Sequence, residues 1–390
     1  MAAPDAQPGG KVVIVGTGLG GYSLAREFRK LAPQASLTLV SADGGQFYSK
    51  PMLSNAFAQG KTAQTLINKS AAQMAAELSA DIRPYSRLTA IDRQAKTISL
   101  TDAAGAVSIL PYGKLVLAIG ADPRPYVVEG SGQGSVRTVN DLDDYARWRD
   151  GLTSGMRVLL VGAGLIGCEF ANDLALAGVR VMVVDPAPWP LGRLLPEELG
   201  RELAGALAGA GVTLHLGRSV ARLEDNQAVL DDGTALDYDR ALSAIGLTAR
   251  VLLAKNAGLT VERGIVTDRY LRTSDPDIFA LGDCAQFPGG PLPFVLPLMA
   301  QARALAATLS GCETALRLPA MPVVVKTPCL PVAVCPPLPG TAGNWVVEGE
   351  GRNRKALYLS PDGHPTGFAL TGERAGERQT LAKVMPDVLV

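Results

Sequence analysis

Two histidines in 390 residues leave little for a histidine-rich metal centre, and a Ser–His catalytic pair would depend on His215 or His364. The five cysteines, Cys168, Cys284, Cys312, Cys329 and Cys335, contain no C-x-x-C pair, and their number is odd. They read as free thiols of a reducing compartment, and no metal site is expected. Net charge is missing as well, because 37 basic and 37 acidic residues cancel. Such a chain offers no global field to nucleic acid or to an anionic membrane. No uninterrupted apolar run is long enough to span a bilayer, so no membrane insertion is expected. Residues 1–10 lack a basic-plus-apolar leader pattern and read as a short flexible lead, which suits a cytoplasmic protein.

Glycine is plentiful, at 43 residues, but follows no period of three. Its place is therefore in tight turns rather than in a collagen helix. With 47% hydrophobic and 19% charged residues, the chain should fold as a soluble protein of two or three domains.

An internal repeat organises the sequence. VVIVGTGLGGYSLAREF begins at Val12 and VLLVGAGLIGCEFANDL at Val158; a shift of 146, the difference between those positions, lays Gly16, Gly18 and Gly21 on Gly162, Gly164 and Gly167. Each copy reads as a buried strand, a glycine turn and a helix, followed by a second apolar strand at 36–40 or 179–184. Between the copies lie an extended segment at 88–110, turning at 102–105, and a strand at 114–119. Beyond the second copy the pattern predicts a helix at 199–210, strands at 212–216, 228–230, 240–245 and 278–281, and a helix at 297–309. From Pro319 onward, proline clusters alternate with short valine-rich strands.

Gly16 permits a sharp turn off the strand, Gly18 lets a pyrophosphate approach the backbone, and Gly21 lets the helix pack closely on the sheet. The helix then points unpaired N–H groups at the phosphates. Thr17, Leu19 and Gly20 complete that turn. A glycine turn without ligand is the competing reading, and the strand-before, helix-after context speaks against it. In the second copy Asp185 ends the following strand, where a carboxylate accepts ribose hydroxyls and favours NADH over NADPH. The first copy has Ser41 at that place, with Asp43 two residues later.

TSDPDIFALGDCA, at 273–285, resembles the second FAD-contacting segment of pyridine-nucleotide-dependent flavin reductases. That resemblance implies that Asp283 hydrogen-bonds the ribityl chain. One chain with two dinucleotide sites suits FAD beside a nicotinamide, since flavin accepts an electron pair and can release single electrons.

YSKPML (48–53), GAGLIGCEFANDL (162–174), FVLPLMAQARALA (294–306) and VVVKTP (323–328), together with the 273–285 segment, look like the rubredoxin reductases of Pseudomonas-type bacteria. The resemblance implies an α/β fold: two Rossmann-like, glutathione-reductase-like domains for FAD and NAD, plus a small α+β C-terminal domain. Residues 1–118 and 247–318 would form the FAD domain, 119–246 the NAD domain and 319–390 the third. It further implies that Gly16–Gly21, Ser41 and Ala42 hold the adenosine half of FAD and that Arg87 or Leu88 meets the adenine. Val295 and Lys326 would lie beside the isoalloxazine. Lys50 would sit by the hydride-accepting nitrogen, paired with Glu169; an ordinary surface ion pair is the alternative.

The related disulphide enzymes carry a C-x₄-C pair where this chain has FYSKPMLSN at 47–55, so dithiol and peroxidase chemistry are not expected. The implied activity is transfer of electrons from NADH through FAD to rubredoxin, of the kind that feeds alkane hydroxylation or oxygen and nitric-oxide detoxification. A ferredoxin reductase, an NADH oxidase and a flavin-based redox sensor are the alternatives. A basic rim containing Lys50 or Lys326 would suit an acidic iron protein, and the short C-terminal region suggests a monomer.

Overall fold

The computed structural model describes residues 10–288 and 290–390. The expected lead at 1–10 thus lies, apart from Gly10, outside the described residues. Two parallel five-stranded sheets dominate. The first runs in the order Ile278–Ala280, Lys114–Leu117, Val12–Val15, Leu37–Val40, Asp81–Arg83. The second runs Val136–Arg137, Arg240–Ser243, Arg157–Val161, Arg180–Asp185, Thr213–Leu216. In both, the strand leading into the glycine turn is central and, apart from Arg157 at the start of the second, buried, as a run of valine, isoleucine and leucine requires.

Register makes the repeat exact in space. Val15 pairs with Val40, and Val161 pairs with Val184. The glycine that follows donates its N–H to the end of the neighbouring strand in each unit, Gly16 to Val40 at 2.8 Å and Gly162 to Val184 at 2.9 Å. Ser41 and Asp185 are therefore structural equivalents. Each unit also carries an antiparallel three-stranded meander, at Arg87–Pro111 and Val220–Asp237. The segment expected to be extended at 88–110 is the first of these. In the second, only the middle strand was visible as an apolar run, because its partners alternate with charged residues.

The chain passes between units through Ala121–Pro123 and returns through Leu247–Ala249, and these two crossings pair antiparallel. The C-terminal region is a five-stranded antiparallel sheet with a short helix at Arg378–Ala382. Its prolines bracket strands: Pro322 precedes Val323, Pro331 precedes Val332, and Pro336 follows Cys335. A residue without an N–H is tolerated at such ends and not within a ladder. Val325, Val332, Val334, Ala356 and Ala369 of this sheet share a hydrophobic core with Phe170, Leu174, Leu199 and Leu203 of the second unit. That shared core fixes the third region against the second.

Candidate nucleotide and electron-transfer site

The glycines divide into three jobs, the same in both units. Gly16 and Gly162 adopt φ of +114° and +107°, and a Cβ there would lie 2.1 Å from the carbonyl oxygen of Ala118 or 2.8 Å from that of Ala244. Gly21 and Gly167 let the helix close on the strand, since a Cβ on either would fall 1.9 Å from the oxygen of Gly16 or Gly162. Around Gly18 and Gly164 a Cβ would meet nothing within 4 Å. Protein packing therefore does not demand glycine at those two positions, whereas close approach of a ligand does.

Helix ends reinforce this. Thr62, Ser70 and Asp141 cap their helices through side-chain oxygens. The helices Leu19–Leu31 and Leu165–Leu176 start at Gly18 and Gly164 with no capping side chain and no acidic residue in the first turn. Their N-termini present backbone donors and positive dipole ends to an anion. Helix Val295–Leu309 is likewise uncapped, at Phe294, and Val295 at its start is 41% exposed.

At both ribose positions the side chains are engaged within the protein as well. Asp185 accepts N–H groups from Ala163, inside the glycine turn, at 2.6 Å and from Ala187 at 2.7 Å. Its carboxylate thus braces the turn, and only its remaining lone pairs can reach a ribose. In the first unit Ser41 and Thr17 share a 2.5 Å hydrogen bond, and Ser41 also contacts a carboxylate oxygen of Asp43 at 2.5 Å. Both hydroxyls are buried and internally engaged; Ala42 beside them is exposed. Leu88 packs into the first core, leaving exposed Arg87 as the side chain able to meet an adenine.

Helix Leu165–Leu176 joins all three regions. Glu169, Asn172 and Asp173 lie on it, buried. Asp173 accepts the N–H groups of Phe57 at 2.8 Å and Ala58 at 3.3 Å, and Asn172 accepts that of Cys329 at 3.0 Å. Burial pushes the Asp173 carboxyl up, and those two N–H donors work against the shift. Glu169 takes the Ser54 hydroxyl at 2.6 Å, the Lys326 backbone N–H at 3.0 Å and the Lys326 ammonium.

The expected Lys50–Glu169 pair does not form. Lys50 opens the 3₁₀ helix Lys50–Asn55, and its Nζ donates to Asn140 Oδ1 at 2.6 Å. Ser54, at the other end of that helix, faces Glu169, whose acceptor sites are filled by Ser54 and Lys326. Lys326 also donates to the Pro51 carbonyl at 2.6 Å, and Lys50 is partly buried, so neither ammonium builds a basic rim.

Asp283 sits in the turn Gly282–Cys284 and makes no hydrogen bond among the described residues. Burial raises its carboxyl pKa, and the neighbouring Lys50 charge opposes the shift. The turn is held by Gln301, fully buried on helix Val295–Leu309, whose Oε1 accepts the Gly282 N–H at 2.8 Å. Cys168 and Cys284 are packing residues: both are buried, and burial raises the Cys284 thiol to about 11. The described residues contain no cluster able to hold a metal ion.

Gln301, Ser54, Asn140 and Asn172 escaped the sequence reading. Gln301 and Asn172 had a signal, a lone amide inside an otherwise apolar helix, which burial makes costly without a partner.

Two nucleotide units, each with an uncapped helix behind an open glycine, joined so that the second helix abuts Lys50–Asn55 of the first, define a two-dinucleotide oxidoreductase. Residues 10–306 match the pyridine nucleotide-disulphide oxidoreductase family, and residues 315–385 match the rubredoxin binding C-terminal domain. A rubredoxin-NAD(+) reductase of Alcanivorax borkumensis is 46% identical over 97% of this chain and 99% of its own length. One of Acinetobacter baylyi is 41% identical over 97% and 98%. The putidaredoxin reductase–putidaredoxin complex superposes with a TM-score of 0.86 at 27% identity, covering 97% of this chain and 94% of that one. The chain belongs to the pyridine nucleotide-disulphide oxidoreductase family and, within it, to the rubredoxin-NAD(+) reductases.

Proposed function

We propose that this protein takes hydride from NADH onto FAD and passes electrons singly to rubredoxin. The observation that carries the reading is the contact of helix Leu165–Leu176 with the 3₁₀ helix Lys50–Asn55, sealed by Glu169, Ser54 and Asp173. It brings the helix that follows the second glycine turn against the segment that carries Lys50, which supports a reading in which two ring systems are held close for hydride transfer.

The residues present suit FAD. Gly18 leaves open space at an uncapped helix end, Asp283 offers an unpaired carboxylate, and Lys50 supplies a cation beside it. We assign the adenosine half to Gly16–Gly21, Ser41, Ala42 and Arg87, and the ribityl chain to Asp283. Lys50 and the start of helix Val295–Leu309 attend the ring; Lys326 acts through Glu169. Gly162, Gly164, Gly167 and Asp185 take NADH. On this reading residues 10–118 and 247–318 form the flavin unit and 119–246 the nicotinamide unit. Bound FAD supplies the conversion of an electron pair into single electrons. The cysteine-free 47–55 segment favours direct delivery to an iron centre over a dithiol relay, and the match at 315–385 favours rubredoxin.

Anaerobic addition of NADH should bleach the flavin absorbance, and rubredoxin should restore it at many turnovers per flavin. NADPH should act more slowly. A folded protein that takes up no FAD, or one whose bleached flavin reoxidises with ferredoxin and not with rubredoxin, would overturn the assignment.

A further inference from the structure

Lys50 is held by an amide, and the surroundings dictate that it be an amide. Asn140 is 7% exposed and makes three hydrogen bonds. Its Oδ1 accepts from Lys50 Nζ at 2.6 Å, its Nδ2 donates to the Ala121 carbonyl at 3.0 Å, and its backbone N–H donates to Asp144 at 3.0 Å. An ammonium only donates and a carbonyl only accepts, so these neighbours fix which end of the side chain is oxygen. A carboxylate could satisfy Lys50 but would turn its other oxygen against the Ala121 carbonyl. The site thus selects a neutral partner, while the carboxylate of Glu169 is consumed by Ser54 and Lys326.

We propose that Asn140 is the positioning residue of Lys50, holding its ammonium through a neutral amide and aiming it beside the nucleotide site. The inference rests on the flavin reading above. Around Lys50, the charged groups are Asp283 on the turn Gly282–Cys284, Asp141 at the cap of helix Leu142–Arg149, Asp122 on the crossing strand, and Arg250 after the return strand. Asp122 is tied to Arg250 at 2.6 Å, and Asp141 is engaged by the Asp144 N–H at 2.8 Å. Among the described residues, Asp283 is the one of these carboxylates that makes no hydrogen bond or ion pair. Burial accordingly outweighs these carboxylates and draws the Lys50 ammonium below the ordinary lysine range. In the folded protein the proton leaves Nζ at a lower pH than from a solvated lysine, and the activity that needs it fades on the alkaline side.

The test is the pH dependence of anaerobic flavin bleaching by NADH in the FAD-loaded protein. Asn140→Asp places an anion in contact with the ammonium and should move the alkaline fall of the rate upward by about one unit. Asn140→Leu should slow bleaching about tenfold while NADH affinity holds, the loss expected when a reacting group is no longer oriented. An unmoved fall in Asn140→Asp with full FAD content, or an Asn140→Leu variant as fast as the parent, would overturn the inference. If neither variant retains FAD, the unsubstituted protein decides. Its flavin spectrum should change between neutral and alkaline pH, and Lys50→Met should abolish that change; a spectrum indifferent to pH overturns the idea. Failure of the reductase reading looks different, since then the parent protein itself does not bleach.

Discussion

Glu169 and Lys326 are ion-paired across the boundary between the second nucleotide unit and the C-terminal sheet, and Ser54 of the first unit donates to the same carboxylate oxygen. Three regions of the chain therefore meet on one side chain, 4% exposed. Lys326→Met leaves that carboxylate with an uncompensated charge and should destabilise the protein by about 2–3 kcal/mol. Glu169→Gln on top of it should recover part of the loss, because the amide no longer carries the charge. Urea unfolding of the two single variants and the double variant measures the coupling directly.

Gly16 and Gly18, two residues apart, should respond oppositely to alanine. Gly16→Ala meets both a positive φ and a carbonyl 2.1 Å away, so stability should fall by more than ~2 kcal/mol. Gly18→Ala meets no protein atom within 4 Å and should leave the melting temperature of the FAD-free protein unchanged. Its FAD dissociation constant should rise about tenfold or more, as loss of close phosphate approach implies. Thermal melts and fluorescence titration with FAD separate the two effects.

Thiol chemistry should be irrelevant to turnover. Cys312 is exposed and Cys329 partly so, while Cys168, Cys284 and Cys335 are buried. A thiol reagent applied to the native protein should label the first rapidly and Cys329 slowly, with the other three silent until unfolding. Mass spectrometry after labelling, alongside the NADH bleaching rate, tests this. A rate lost in step with labelling would imply a thiol relay.

Acid should weaken the contact between the first nucleotide helix and helix Ala71–Leu78. Hydrogen bonds from Arg26 and then Lys69 hold the Glu77 carboxyl down at about 2, below its ordinary value of 4.5. A depressed carboxylate adds stability above its unfolded pKa and loses it as pH falls through the folded value. The melting temperature of Glu77→Gln should therefore lie below the parent at neutral pH, and the gap should close between pH 4.5 and pH 2. The effect should be small, because the Arg26 and Glu77 side chains are about a third exposed and that of Lys69 is 44% exposed.

How legible the molecule was depended on what each residue answers to. Glycine turns answer to their immediate neighbours, so Gly16, Gly18, Gly21 and their counterparts could be assigned from strand and helix context alone. The helix expected at 297–309 and the strand expected at 179–184 are visible as apolar runs, with ends that differ by one or two residues from the observed Val295–Leu309 and Arg180–Asp185. The partner of Glu169 was not visible, because it depends on packing: Lys50 and Lys326 are 276 positions apart, the difference of their numbers, and both arrive near the same helix. The resemblance named the participants, while the core shared by the C-terminal sheet and the second unit decided which lysine reached the carboxylate. Asn140 was hidden for a related reason, since NDLDD reads as an ordinary helix start, which it also is.

Ala121–Pro123 lies directly against Leu247–Ala249, so everything between enters and exits through neighbouring strands roughly 5 Å apart. A segment tethered at two adjacent points can be cut out and replaced without stretching what remains. The paired crossings therefore make the middle of this chain a cassette. A homologous insert of different coenzyme preference, spliced at those two strands, would change the electron donor, provided it brings its own equivalents of Asn140 and Glu169 and of Phe170, Leu174, Leu199 and Leu203, which pack against the C-terminal sheet.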